Sequence, residues 1–192
     1  MNYFKKFAIR FFYFALLWVV PFWYGLTMYF TRDKLIAVKK RKTKEEIGQA
    51  LSWGKTWVAD PLGGVFDMLS HPTKIERNIS FGKPVGDCDD HAIYWATCLL
   101  KSKLARKTWL SFYQYETRKG RVSGHVVCVF QDWYGDYYWV DYKSPEKITH
   151  RFEWVTLMEH RKQRVVLGAA EIQVLGISRD DTPVLGKTNK MM

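Results

Sequence analysis

Gly86-Asp87-Cys88-Asp89-Asp90-His91-Ala92 is the stretch from which the fold is read. A cysteine stands at a turn just before a run with helical periodicity. Ala92, Trp95, Ala96 and Leu99 recur at helical spacing, so this helix buries one face. Asp87 is placed to cap it, because a carboxylate accepts the free N–H groups of a first turn. Asp89 and Asp90 follow, where the helix dipole favours negative charge. Cys88 therefore opens a buried helix. A helix N-terminus favours thiolate, the nucleophilic form, whereas three neighbouring carboxylates oppose it. Activation of Cys88 requires a positively charged partner.

The candidate partner is His125, in Ser123-Gly124-His125-Val126-Val127-Cys128-Val129-Phe130. Asp141 follows in Tyr137-Tyr138-Trp139-Val140-Asp141-Tyr142. Both runs are rich in β-branched and aromatic residues and read as strands. Gln131 to Asp136 reads as the loop between them. A hairpin centred on Trp133 sets His125 directly opposite Asp141, with both side chains on one face. Asp141 then accepts from one ring nitrogen while the other faces Cys88. That is a nucleophile–base–orienter arrangement.

These motifs resemble the transglutaminase-like cysteine peptidase superfamily. The resemblance rests on Gly86-Asp87-Cys88-Asp89-Asp90, Gly124-His125-Val126 and Asp141, in that order, and extends to Asp60-Pro61-Leu62-Gly63-Gly64 and the approach from Arg77 to Gly86. It covers Trp53 to Tyr142, about half the chain. It implies a papain-like core in which the cysteine opens a central helix and the histidine and aspartate lie on successive antiparallel strands. It also implies a tryptophan that helps stabilise the oxyanion. Trp53 stands at the matching place, with Trp57 as its rival and plain core packing as the alternative for either. The Cys88 backbone N–H is the other oxyanion donor.

A chain of 192 residues supports one domain with some length left for an anchor or tail. The cysteines Cys88, Cys98 and Cys128 are odd in number and contain no C-x-x-C pair. That argues against a disulfide framework or a structural zinc, and suits a reducing compartment. A metal site built on Cys88, Asp89, Asp90 and His91 would mix hard and soft ligands without a second pair at standard spacing, so no metal or cofactor is expected.

The net charge is +11, but residues 1–44 hold ten Lys/Arg against one acid, so the remainder is nearly neutral. No nucleic-acid motif accompanies the basic region, and no nucleic-acid partner is expected.

From Phe11 to Thr31 no residue is charged. About 20 such residues cross a bilayer as a helix. Tyr13, Trp18, Trp23, Tyr24 and Tyr29 include side chains suited to the interface, and Pro21 is tolerated in a span. A secretory signal and a buried aromatic helix of the soluble fold are the rival readings. Three positive residues precede the stretch and seven, from Arg32 to Lys44, follow it. The heavier flank puts the enzyme domain in the cytoplasm, with a soluble cytoplasmic protein as the alternative. Residues 11–31 make membrane lipids an expected partner, and the basic flank reads as a headgroup contact or as solvated chain.

Thr43-Lys44-Glu45-Glu46 is a capping box, and Ile47, Ala50, Leu51, Gly54 and Val58 form the stripe behind it. Leu104 to Tyr115 contains a strand of the central sheet, and Ala169 to Ile177 reads as the last strand. Glu146 to Arg161 is ambiguous between helix and strand. His91 reads as packing or hydrogen-bonding support, although it lies one turn beyond Cys88. His71, His150 and His160 read as surface or loop residues, and Cys98 and Cys128 as buried and inert.

The expected organisation is a hydrophobic helix with a basic flank over 1–42, a catalytic domain over 43–179 and a loose tail over 180–192. The expected fold is α+β, papain-like, with the cysteine helix packed on an antiparallel sheet. The expected chemistry is acyl transfer at an amide of a protein or peptide substrate. Cys88 is the nucleophile, His125 the base and Asp141 its orienter. A catalytically idle binding or structural module of a membrane-associated assembly is the alternative.

Overall fold

The computed structural model describes residues 20–53, 69–116, 122–142, 144–162 and 165–190. The helices are α1 (Val20–Thr31), α2 (Lys44–Trp53), α3 (Pro72–Ser80), α4 (Cys88–Lys101) and α5 (Glu153–Lys162). The strands are β1 (Lys107–Glu116), β2 (Val122–Gln131), β3 (Tyr137–Val140), β4 (Pro145–Ile148), β5 (Val165–Ile177) and β6 (Pro183–Lys190). They form one antiparallel sheet in the order β4-β3-β2-β1-β5-β6. The α+β class is as expected from the sequence.

Alternation along the strands builds two cores, one on each face of the sheet. On one face Leu110, Phe112, Val126, Cys128 and Ile172 pack with Ala92, Ile93, Trp95 and Leu99 of α4. On the other, Trp109, Tyr113, Val127, Val129 and Trp139 pack with Trp154, Val155 and Met158 of α5. The segment that was ambiguous from Glu146 to Arg161 divides between β4 and α5.

Residues 183–190 of the loose tail expected over 180–192 are instead the edge strand β6, hydrogen-bonded to β5 from Ala170↔Lys190 to Ile177↔Pro183, and residues 191–192 lie outside the described residues. β5 is accordingly not the last strand. Only part of β6 is buried, including Pro183 and Thr188, while Val184 faces solvent. An edge strand with one wet face has a weak apolar signature, which explains the difference.

The boundary expected at residue 42 is not a structural one, because Tyr24, Met28 and Val38 belong to the α4-side core. The Tyr24 ring lies 6.0 Å from that of Phe112 on β1. The opposite face of α1 carries exposed Phe22, Tyr29 and Phe30. No helix among the described residues is long and apolar enough to cross a membrane, and residues 11–19 of the expected span lie outside the described residues. A uniformly apolar run has no period to reveal which face a neighbour will cover.

Segment 39–41 is tied down by a buried carboxylate. Glu76 of α3 is fully buried and accepts from Arg41 at 2.9 and 3.1 Å and from the Tyr94 hydroxyl of α4 at 2.6 Å. At α2, Thr43 accepts from the Glu46 N–H, while Glu46 reaches back to the Lys42 N–H. The capping box is thus formed with its return bond one residue earlier. Ile47 and Leu51 of its stripe are buried, and Gly54 and Val58 lie outside the described residues.

His71 is not a surface residue: it is 1% exposed and caps α3. Its Nδ1 accepts from the Thr73 N–H, and its Nε2 meets the Thr182 hydroxyl at 3.1 Å. Ser-Pro-like punctuation around residue 71 hides this role, which depends on the distant β5–β6 turn. Burial, with the Arg32 charge, pushes its pKa down to about 4. An unfolded histidine binds a proton near pH 6.5, whereas folded His71 does not until about pH 4. Stability contributed by the neutral ring is therefore full above pH 6.5 and declines as pH falls through that window. Between pH 7 and pH 5 the loss amounts to about 2 kcal/mol from this group. Thermal melts should show Tm falling over this range in the parent chain and less steeply in His71→Gln.

Candidate active site

The turn before α4 is built by close approach. Gly86 has φ +134°, and a Cβ there would lie 1.8 Å from the Asp90 carboxylate. Asp90 is buried and accepts from the Ser70 N–H at 2.5 Å, which anchors the segment before α3 to the first turn of α4. Asp89 and Asp90 occupy the first turn as expected. Asp87 occupies the N-cap position, but its side chain makes no capping hydrogen bond. Its backbone carbonyl instead accepts from His91 N–H at 3.1 Å, closing the first turn. The expected Asp87 side-chain cap is therefore absent, and the Asp90 N–H donates to the Asp89 carboxylate at 2.9 Å instead. Cys88 is the first helical residue, and its thiol is half-buried.

His125 Nε2 and Asp141 Oδ1 lie 2.8 Å apart, each side chain 11% exposed. This bond leaves Nδ1 as the ring nitrogen for a second partner. The strand register differs from the expected one. β2 and β3 pair as Cys128↔Val140, Val129↔Trp139 and Gln131↔Tyr137, which centres the hairpin on Tyr134 rather than Trp133. Asp132 causes the shift: its carboxylate accepts from the Tyr134 and Asp136 N–H groups, and Gly135 takes φ +92°. A displacement of two residues preserves which face a side chain occupies. Asp141 lies just beyond the end of β3 and reaches His125 from the bend rather than from the ladder.

Aromatic neighbours link α4 to this pair. His91, one turn along α4 from Cys88, has its ring 5.1 Å from that of Tyr142 and edge-on to it. The Tyr142 ring lies 5.5 Å from that of His125. Trp95, a further turn along, donates its indole N–H to the Tyr142 carbonyl at 3.0 Å. The first turns of α4 and the His125–Asp141 bond thus share one end of the sheet. By alternation His125 lies on the α5 face of β2, opposite Tyr113, whose ring is 5.5 Å away. Tyr113 and Tyr142 were not singled out in the sequence. The adjacency of Tyr142 to Asp141 was the available signal.

His91 has the supporting place expected of it. Burial pushes its pKa down to about 4, against the opposing influence of Asp87 and Asp141. Its ring is therefore neutral at neutral pH. Cys98 and Cys128 are fully buried, as expected; burial pushes the Cys98 thiol up to about 12 and the Cys128 thiol higher still. Trp53 is the last residue of α2, but its side chain, Trp57 and Asp60–Gly64 lie outside the described residues. Among the described residues no group of three His, Cys, Asp or Glu is arranged to hold a metal ion.

Gly86→Ala should test the turn. The added methyl meets the Asp90 carboxylate and the backbone leaves the region that alanine tolerates. A destabilisation of roughly 2–4 kcal/mol is expected, read as a Tm lowered by roughly 5–10 °C. Comparison with protein-family models and with curated proteins finds no match, so the site is read from its own geometry.

Proposed function

We propose that this chain is a cysteine-dependent acyl-transfer enzyme of transglutaminase-like type, with a papain-like core, acting on an amide of a protein or peptide. The observation that carries the reading is the 2.8 Å His125–Asp141 bond, linked through the Tyr142 ring to the helix that begins with Cys88. In this reading His125 takes the Cys88 proton at Nδ1, and the thiolate attacks the amide carbonyl. The Cys88 backbone N–H, at the open end of α4, donates to the developing oxyanion. Collapse of the tetrahedral intermediate breaks the C–N bond, and His125 returns the proton to the departing amine. Water then attacks the thioester and releases the acid and the free thiol. An amine in place of water gives a crosslink through the same nucleophile. Asp141 holds the ring in the tautomer and orientation that both steps use.

Thiol labelling tests this reading. Cys88 should be alkylated well below the ~8.5 pKa of a free thiol, and His125→Ala should remove that reactivity. Cys88→Ala should abolish turnover of any amide substrate while the fold persists. Asp141→Asn should lower the rate by roughly 10²–10⁴-fold. An unreactive Cys88 in a folded chain would leave the idle binding module as the correct reading.

We also propose that the chain is membrane-associated through residues 11–31, with the domain on the cytoplasmic side. In support, the outward face of α1 exposes Phe22 (71%), Tyr29 (75%) and Phe30 (74%). Exposed Lys34, Lys39 and Lys40 follow it in the chain, suited to anionic headgroups. The full chain should stay with membranes in high salt and carbonate and be released by detergent. Release by salt alone would reduce the contact to screened surface charge.

A further inference from the structure

Tyr142 is one of three non-glycine residues with positive φ among the described residues, at φ +72°. An aromatic residue in the left-handed region is strained by about 1–3 kcal/mol and persists only where its surroundings impose it. β3 ends at Val140, and no ladder pairing extends to Asp141 or Tyr142. The restraint comes from α4. The fully buried Trp95 donates to the Tyr142 carbonyl at 3.0 Å, and the His91 ring stands edge-on to the tyrosine ring at 5.1 Å. On its other side, the Tyr142 ring meets His125 at 5.5 Å. Tyr113 closes the bracket, its ring edge-on to His125 at 5.5 Å.

We infer that Tyr142 is a positioning residue that couples the helix carrying Cys88 to the His125–Asp141 pair, with Trp95 and His91 as the groups that hold it. The inference rests on the acyl-transfer reading for its purpose, although the coupling itself is independent of catalysis. Asp141 directly precedes Tyr142, so fixing the Tyr142 backbone fixes the direction from which the carboxylate reaches His125. The tyrosine ring limits where the imidazole can turn. Both effects originate on the helix that carries the nucleophile, so displacement of α4 would move the base with it. The contacts that tie Tyr142 to α4 and to His125 are made by its ring and its carbonyl.

Three variants of the full chain in detergent test it. Tyr142→Phe keeps the ring, Tyr142→Gly adopts the same φ without strain and removes the ring, and Trp95→Phe removes the indole donor. The first readout is the downfield NMR signal of the His125 ring N–H bonded to Asp141, assigned by its absence in His125→Gln. The second is the rate of Cys88 alkylation by iodoacetamide across pH 5–9, site-resolved by mass spectrometry. Tyr142→Phe should match the parent in both. Tyr142→Gly and Trp95→Phe should lose the N–H signal to exchange and alkylate roughly ten- to hundredfold more slowly at pH 6. Retention of signal and rate in Tyr142→Gly would overturn the inference even if Trp95→Phe fails to fold. A fall in Tm with an unchanged N–H signal would likewise leave Tyr142 a packing residue only. Loss of the signal with parental alkylation would uphold the coupling and count against the pairing of Cys88 with His125.

Discussion

Burial of α4 on nearly every side is the constraint from which the rest of the arrangement follows. Asp89, Asp90 and the run from Ala92 to Leu99 are buried, so the helix cannot rotate or slide without unpacking several large side chains. Each such side chain contributes about 1.5–3 kcal/mol. A helix held this firmly emerges at one place only, and Cys88 stands there. The polar groups drawn inward at that end are accommodated individually. Asp90 receives the Ser70 N–H, and Gly86 leaves room for the carboxylate. The same helix reaches the other side of the site through Trp95, whose body packs in the core while its N–H meets the Tyr142 carbonyl.

A second buried carboxylate binds the N-terminal segment to this framework. Glu76 draws together Arg41, Tyr94 of α4 and the Lys39 N–H. Removing one partner of such a buried pair typically costs about 3–5 kcal/mol, because the remaining charge is left unpaired. The basic segment is thereby part of the domain wall rather than a free linker. Arg32 and Lys101 extend the tie, pairing with Asp180 and Asp181 at the turn into β6. The α1 helix, packed through Tyr24 and Met28, is thus followed directly by an anchored basic segment.

His91 and His125, which flank the Tyr142 ring, are divided by environment. His91 is desolvated among packed rings, which keeps it neutral down to about pH 4. His125 has the Asp141 carboxylate at 2.8 Å, the kind of partner the proposed proton transfer would call for. Proximity in sequence favours His91 as the partner of Cys88, whereas the bond to Asp141 marks out His125 for the proposed role. The acidity of the first turn of α4 does not by itself activate a thiol. It makes the placement of the histidine the deciding element.

Local conformations and buried faces were legible from the order of residues alone. Ala92, Trp95, Ala96 and Leu99 recur with the period of a helix, and the runs around His125 and Asp141 carry the β-branched and aromatic residues of strands. Periodicity is a property of the backbone, so it is legible without knowledge of neighbours. The sheet face of His125 was legible for the same reason, since a register error of two residues leaves parity intact. Tertiary structure decided what depends on distant contacts. Asp132 shortens the hairpin through bonds to its own loop, and Thr182 turns His71 from a loop residue into a buried cap. Phe112 selects the Tyr24 face of a uniformly apolar helix, and β5 converts a polar tail into an edge strand. The left-handed backbone at Tyr142 exists because Trp95 and His91 hold it, and neither lies within forty residues of it in the chain. Such features have no local period, because their stabilisation appears only when separate elements meet.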